Sequence, residues 1–393
     1  MRIIGRLAPT KLGALSKISS RDHIAALDEA GFDALDLWGA EDFGIGLKEF
    51  GEDPWERLRI IRGCLNKTKL QVVLRGQCLL GSKIYPDDIT EYFIASLVDH
   101  GVDMIRAYDA LNDSRNLETV IGAAKKYGAE LQAGLVYTVS PAHSISFFAG
   151  YAALLEQMGV DSVCIFDPEG LMQPSDAAEL ISAIKRNVSI PIIISTFGAY
   201  ERDVISAADQ AGVYAVERCI RAEKTSGLEG IMDMIDECES ATALPDTNEF
   251  LSAEISHVRA DAGYPPLAPP ISDILKAQAE TNIKAGSRYK ILLPEFSSLL
   301  RGMYGRTPAP VSESFAARTV GDDPMLLVRP ASTLEPGLDC LCRESAQYLD
   351  DPEDILTYAI AGDEAVRFFE YRKALRYGLD APHADPRLGV HVI

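Results

Sequence analysis

Arg6, Arg75, Asp36, Asp109 and Asp167 each stand at or beside the end of a short apolar run, and their chemistry is the first that the chain offers. Guanidinium groups so placed could grip a small carboxylate bidentately. Three carboxylates brought together could bind a hard cation such as Mg2+. The same residues, with Arg106, could also neutralise one another. That ion-pair network is the plainer expectation, with Arg75 paired to Asp109 or Asp36 across a shared rim. Histidine offers little. The six are His23, His100, His143, His257, His383 and His391, and none makes an H-x-H or H-x3-H pair in the first 380 residues. His383, Asp385 and His391 form a loose metal-like group that reads as an ordinary chain terminus. No glycine-rich phosphate loop, nucleophile elbow or H-E-x-x-H occurs.

Cysteine chemistry is equally sparse. Cys64, Cys78, Cys164, Cys219, Cys238, Cys340 and Cys342 are odd in number and mostly sit in apolar or helical patterns, so buried free thiols are expected. Cys340 and Cys342 make a C-x-C with no second pair nearby, which argues against zinc. A reducing compartment fits, and the N-terminus lacks a signal-peptide pattern, so the cytoplasm is expected. The net charge of −20 disfavours nucleic acid as a partner. No apolar run approaches the roughly 20 residues of a membrane span.

The elements that must position these residues alternate. Short β-rich runs are read at Ile3–Ile4, Ala34–Trp38, Leu70–Leu74, Asp103–Tyr108, Glu130–Tyr137, Ser162–Phe166, Pro191–Ser195 and Ala215–Ile220. Amphipathic helices follow them at Arg21–Ala30, Pro54–Leu65, Asp88–His100, Asn116–Tyr127, His143–Met158, Ser175–Asn187, Asp203–Ala211 and Leu228–Cys238. Ser20 is a plausible cap for the first helix and Gly31 its stop. Eight strand–helix units in roughly 240 residues predict an α/β fold, a closed (β/α)8 TIM barrel over residues 1–240. Ser240–Asn248 reads as a polar linker. Residues 249–393 read as a mainly helical extension broken by proline, with helices at Ser272–Lys284, Leu293–Tyr304, Asp351–Ala361 and Glu364–Arg376, a short strand at Met325–Val328 and a coil tail.

Several strings identify a likeness. They are ALDEAGFDALDLWG, FGEDPWERLR, LRGQCLLG, YDALNDSRNLE and GLVYTVSPAHS in the barrel, then AGYPPLAPPISDILKAQA, YGRTPAPV, RPASTLEP and FFEYRKAL in the extension. Together they resemble the carboxyltransferase domain of pyruvate carboxylase, the oxaloacetate decarboxylase alpha subunit and the transcarboxylase 5S subunit. The resemblance implies an active site at the C-terminal mouth of the barrel, with a helical extension packed over it. It also implies a divalent metal held by an Asp on the first strand, a carbamylated Lys on the sixth and an H-x-H pair on the seventh. A Lewis acid and arginine together steady the enolate of pyruvate while carboxybiotin gives up CO2.

At the metal positions so implied this chain carries Leu7, Phe166, Ser195 and Phe197, none of which suits such an ion. Arg6 and Arg75 match the substrate arginines, Thr10 replaces a substrate-contacting Gln, and Gln77 and Tyr85 are retained as structural residues. The segment that would carry a proton-shuttling Thr is reduced to a short link between Cys238 and Gly263. No Met-Lys-Met biotin attachment site is present. No cofactor is therefore expected on this chain, biotin being carried separately if catalysis occurs, and a divalent metal is not expected. The resemblance implies a homodimer, or a heterodimer with a catalytic paralogue, and contact with a biotinyl carrier protein. The reading that follows is a non-catalytic carboxyltransferase-like subunit of a biotin-dependent complex. Two alternatives stay open. One is metal-free binding or lysis of a small 2-oxo acid by Arg6 and Arg75 with an Asp such as Asp109 as base. The other is a working carboxyltransferase or decarboxylase acting on pyruvate or oxaloacetate, with its metal held by other residues.

Overall fold

The computed structural model describes residues 2–7, 21–40, 42–220, 249–321 and 324–377. Its first half is a closed parallel barrel in sequential strand order. The strands are β1 Arg2–Leu7, β2 Ala34–Trp38, β3 Lys69–Leu74, β4 Met104–Tyr108, β5 Glu130–Val136, β6 Ser162–Asp167, β7 Ile192–Thr196 and β8 Ala215–Ile220. β8 returns to β1, with register from Arg2 opposite Ala215 to Leu7 opposite Ile220. Ile3–Ile4 opens β1 as the sequence predicts, and the strand runs on through Arg6.

Local chemistry sets the connections. Asp53 caps the helix Pro54–Cys64 by accepting from the Trp55 and Glu56 amides, with proline at the first helical position. Ser144 caps Ile145–Met158 through the Phe147 amide, and Gly159, at φ 86°, ends it. The expected helices at Arg21–Glu29, Asp87–Asp99, Glu118–Tyr127, Pro174–Lys185 and Glu201–Gln210 are also present. Ser20, the expected helix Leu228–Cys238, the linker Ser240–Asn248 and the C-terminal tail with His383, Asp385 and His391 lie outside the described residues.

Period-two alternation along the strands builds the barrel interior in three tiers. Ile4, Ala34, Cys164, Ile193 and Ala215 make an apolar base. Two residues further along their strands come Arg6, Asp36, Ser195 and Glu217, with Arg106 and Gln132 beside them. Above these, Tyr108, Val136, Phe166, Phe197 and Cys219 form an apolar lid that is continuous with side chains of the extension.

The extension differs from expectation in its division of labour. Its first part covers the mouth. Ile255 and Val258 of the helix Glu249–Asp261, Ile271 and Leu275 of Ile271–Ala285, and Phe296 and Leu299 of Pro294–Leu300 all join the lid cluster. Its second part leaves the mouth and packs on the barrel flank. Leu356, Ala359, Phe368 and Phe369, from Asp354–Ala361 and Asp363–Arg376, enter the outer core with Trp38, Phe43, Trp55 and Phe93. Trp55 Nε1 donates to Thr357 Oγ1 at 3.0 Å, and the Tyr85 hydroxyl donates to the Ala359 carbonyl at 3.2 Å.

One sequence reading is corrected here. The expected β-rich run Met325–Val328 is irregular chain with a bend at Val328, and it pairs with no strand among the described residues. Between the polar linker and Gly263, Glu249–Asp261 forms a 13-residue helix that opens the extension. A wide helical turn at Asp42–Phe50, and short helices at Glu313–Thr319 and Leu338–Ser345, were not foreseen. Gly263, at φ +80°, fixes the start of the proline-rich stretch: a Cβ there would lie 2.2 Å from the Ala309 carbonyl oxygen, inside any tolerable contact.

Candidate functional site

The mouth of the barrel is a stack of aromatic rings set on a charged layer. Tyr108 and Phe166 lie with ring centroids 5.2 Å apart, and Phe166 meets Phe197 edge-on at 6.4 Å. Both phenylalanines are buried, at 7% and 3% exposure, so they fill the mouth instead of lining it. Ser195 is fully buried and donates to Glu217 Oε1 at 2.9 Å. Leu7 ends β1 opposite Ile220. Two of these positions thus present aromatic hydrocarbon and a third is already engaged. Hydrocarbon gives a cation no donor atoms. Among the described residues, no group of three or more His, Cys, Asp or Glu side chains is placed to hold a metal ion.

Arg6 rises from β1 into this layer. Its Nε lies 3.8 Å from Asp36 Oδ2 and its Nη1 3.7 Å from Glu217 Oε1. Its guanidinium carbon sits 5.4 Å from the Phe197 ring centroid, within cation–π range. Arg106, 2% exposed, bonds Gln132 through Nε and Glu217 through Nη1. Burial works to raise the Glu217 pKa, but Arg106, Arg6 and the Ser195 hydroxyl hold it below the usual range. Burial pushes Asp36 up to about 7, with Arg6 opposing and Glu217 adding to the rise. The layer therefore has an internally compensated charge set of Arg6, Arg106, Glu217 and, when ionised, Asp36.

The expected ion-pair network is only partly present. Asp36 belongs to it. Asp109 does not: it closes a turn, accepting from the Leu111 and Asp113 amides at 3.0 and 2.9 Å and from Asn116 Nδ2 at 2.9 Å. Burial, then the nearby Asp113, pushes its pKa to about 7. Asp167 likewise accepts from the Leu171 and Met172 amides, both at 3.0 Å, and from Thr196 Oγ1 at 2.9 Å. Arg75 pairs with neither Asp109 nor Asp36. Its Nη1 donates to the Gly81 carbonyl at 3.1 Å, and its charge opposes the burial that raises the Tyr108 pKa. Among the described residues no carboxylate lies within ion-pair distance of it. Arg6 and Arg75 both act on Tyr108, whose hydroxyl donates to the Pro269 carbonyl of the extension at 3.2 Å.

Gln77 and Tyr85 have structural partners. Gln77 Nε2 donates to the Tyr85 carbonyl, Asp87 and Thr90, while Arg329 of the extension donates to Gln77 Oε1. Thr10 and Cys238 lie outside the described residues. Of the described cysteines, all free, Cys78, Cys164 and Cys219 are buried, whereas Cys340 is exposed, against expectation. Glu217 is the residue that the sequence reading missed. Its signal was an acid at an inward position of β8, in the run AVERCI between Ala215 and Cys219.

Comparison with known proteins places these features in a lineage. Residues 238–387 match the family described as the conserved carboxylase domain. The chain is 33% identical over 409 residues to a pyruvate carboxylase subunit of Methanocaldococcus jannaschii, covering 87% of this chain and 72% of that protein. It is 31% identical over 430 residues to the methylmalonyl-CoA carboxyltransferase 5S subunit of Propionibacterium freudenreichii subsp. shermanii, covering 91% and 84%. The fold superposes on the carboxyl transferase domain of Rhizobium etli pyruvate carboxylase, solved with pyruvate, with a TM-score of 0.82 at 19% identity, covering 98% of this chain and 80% of that one.

Proposed function

The chain belongs to the carboxyltransferase family that includes the archaeal pyruvate carboxylase subunit and the methylmalonyl-CoA carboxyltransferase 5S subunit, and on that premise we propose that it is a non-catalytic carboxyltransferase-like subunit of a biotin-dependent decarboxylase or carboxylase complex. One observation carries this reading. Where a metal would have to sit, Phe166 and Phe197 occupy the mouth, and Ser195 is bonded to Glu217. This donor set does not fit a divalent cation, which needs several oxygen or nitrogen ligands.

The charged layer supports the same reading. An enolate needs uncompensated positive charge where its oxygen develops. Arg6 faces Glu217 and Asp36, so its charge is met from within the chain. The extension, by contrast, keeps its full packing on both mouth and flank. The partners consistent with this reading are a second copy, a catalytic paralogue or a biotinyl carrier protein, in the cytoplasm. No helix among the described residues is long and apolar enough to cross a membrane.

The test is oxaloacetate decarboxylation by the purified chain with free biotin and Zn2+, Mn2+ or Co2+, against the metal-only background. No rate above background is expected. A protein-dependent rate that a chelator abolishes would falsify the reading.

A second reading has one observation in its favour. Arg75 is half-buried at the mouth with no carboxylate within ion-pair distance among the described residues, and it shares Tyr108 with Arg6. A guanidinium in that position can accept a small carboxylate without any metal. Saturable binding of pyruvate that Arg75→Ala abolishes would favour this metal-free binder, and its absence favours the first reading.

A further inference from the structure

Between the apolar base and the aromatic lid, the barrel interior holds more hydrogen-bonding groups than protein partners. Gln71 lies on β3 opposite Asp36 on β2 and is fully buried. It faces inward, because Val73, two residues on, packs against the lid cluster. Neither its Nε2 nor its Oε1 has a partner among the described residues. On the next strand, Arg106 uses Nε for Gln132 and Nη1 for Glu217, but its buried Nη2 has none. Asp36 reaches Arg6 only at 3.8 Å, beyond direct hydrogen-bond length. Orphaned buried polar groups are rare in native folds, and two neighbouring strands, β3 and β4, supply them here beside Asp36 of β2.

Charge decides what satisfies them. Arg6 and Arg106 bring two positive groups, and Asp36 and Glu217 two acids. A cation would face the free N–H groups of Arg106. An anion would face both acids. A neutral molecule that both donates and accepts fits on every side, and water is the smallest.

We propose that β2, β3 and β4 enclose a hydration site in which at least one water molecule, held by Gln71, Arg106 and Asp36, is a fixed part of the fold. The water accepts from Arg106 Nη2 or Gln71 Nε2 and donates to Gln71 Oε1 or Asp36. It lies beneath Tyr108, Phe166 and Phe197, so its exchange with solvent is confined to the side of the layer where Asp36 and Arg6 are partly exposed. This inference stands independently of the proposed function.

Water oxygen-17 relaxation dispersion on the full chain and on Gln71→Leu tests it, with circular dichroism to establish that the variant folds. The expected result is a long-lived internal water population in the wild type that falls by at least one molecule in Gln71→Leu. An unchanged population overturns the proposal. If Gln71→Leu does not fold, a crystal structure of the wild-type chain decides. A water within hydrogen-bond distance of Gln71 and Arg106 supports the site. A rotamer pairing Gln71 with protein, or an ion in that space, overturns it.

Discussion

Glu217 organises the charges of the mouth, because Arg106, Arg6 and Ser195 all converge on its carboxylate. Asp36, buried beside this second acid, has its pKa pushed to about 7. An aspartate in an unfolded chain titrates near ~3.9. The folded state therefore binds the extra proton between those values, and the contribution of Asp36 to stability falls as pH rises through that window and levels off above it. Asp36→Asn is expected to flatten this slope, so that between about pH 4.5 and pH 8 the wild type loses on the order of 2 kcal/mol more than the variant. Urea unfolding across that range measures it, and parallel slopes would contradict the assignment. At this scale the sequence was only half legible. Arg6, Arg75 and Asp36 could be placed at the rim because each ends an apolar run. Glu217 could not be matched to Arg106, since 111 residues separate them and only barrel closure brings them together. Asp109 and Asp167 head the runs DALND and DPEG, which are turn chemistry, and the local hydrogen bonds win over the distant arginines.

The last two helices of the extension show how an element far along the chain is tied to the barrel. Arg372 donates to both oxygens of Asp354, at 3.0 and 2.5 Å, lies 3.7 Å from the helix cap Asp53, and stacks over Phe368 and Phe369. Asp354 is 2% exposed, so losing Arg372 would strand a buried carboxylate. Arg372→Met, which keeps the stem, is expected to destabilise the chain by about 3 kcal/mol in chemical denaturation. A change under about 0.5 kcal/mol would mean that the cluster is only a solvated surface pair. The barrel helices were legible because caps such as Asp53 with Pro54, and stops such as Gly159, bracket them in sequence. Glu249–Asp261 was not, since only Ile255 and Val258 of its length are buried and so short a stripe carries little periodic signal. Met325–Val328 misled in the other direction: its β-forming residues lie in irregular chain with a bend at Val328, since no described neighbouring edge receives them.

For the whole molecule, the extension acts as the outer wall of the mouth and as a brace on the flank. A chain ending at residue 248 would expose the lid residues Tyr108, Val136, Phe166, Phe197 and Cys219 along with the flank around Trp55. Such a patch promotes association. The truncated chain is expected to bind an apolar dye and to self-associate in sedimentation, whereas a dye-silent monomer would show that the barrel closes its own mouth. On the proposed reading, aromatic packing by Phe166 and Phe197 stands at the mouth in place of metal-binding donors. Elemental analysis of the purified chain, after equilibration with Zn2+, Mn2+ or Co2+ and desalting, tests this most directly. Well under ~0.1 ion per chain is expected, and roughly one tightly held ion per chain would overturn the reading.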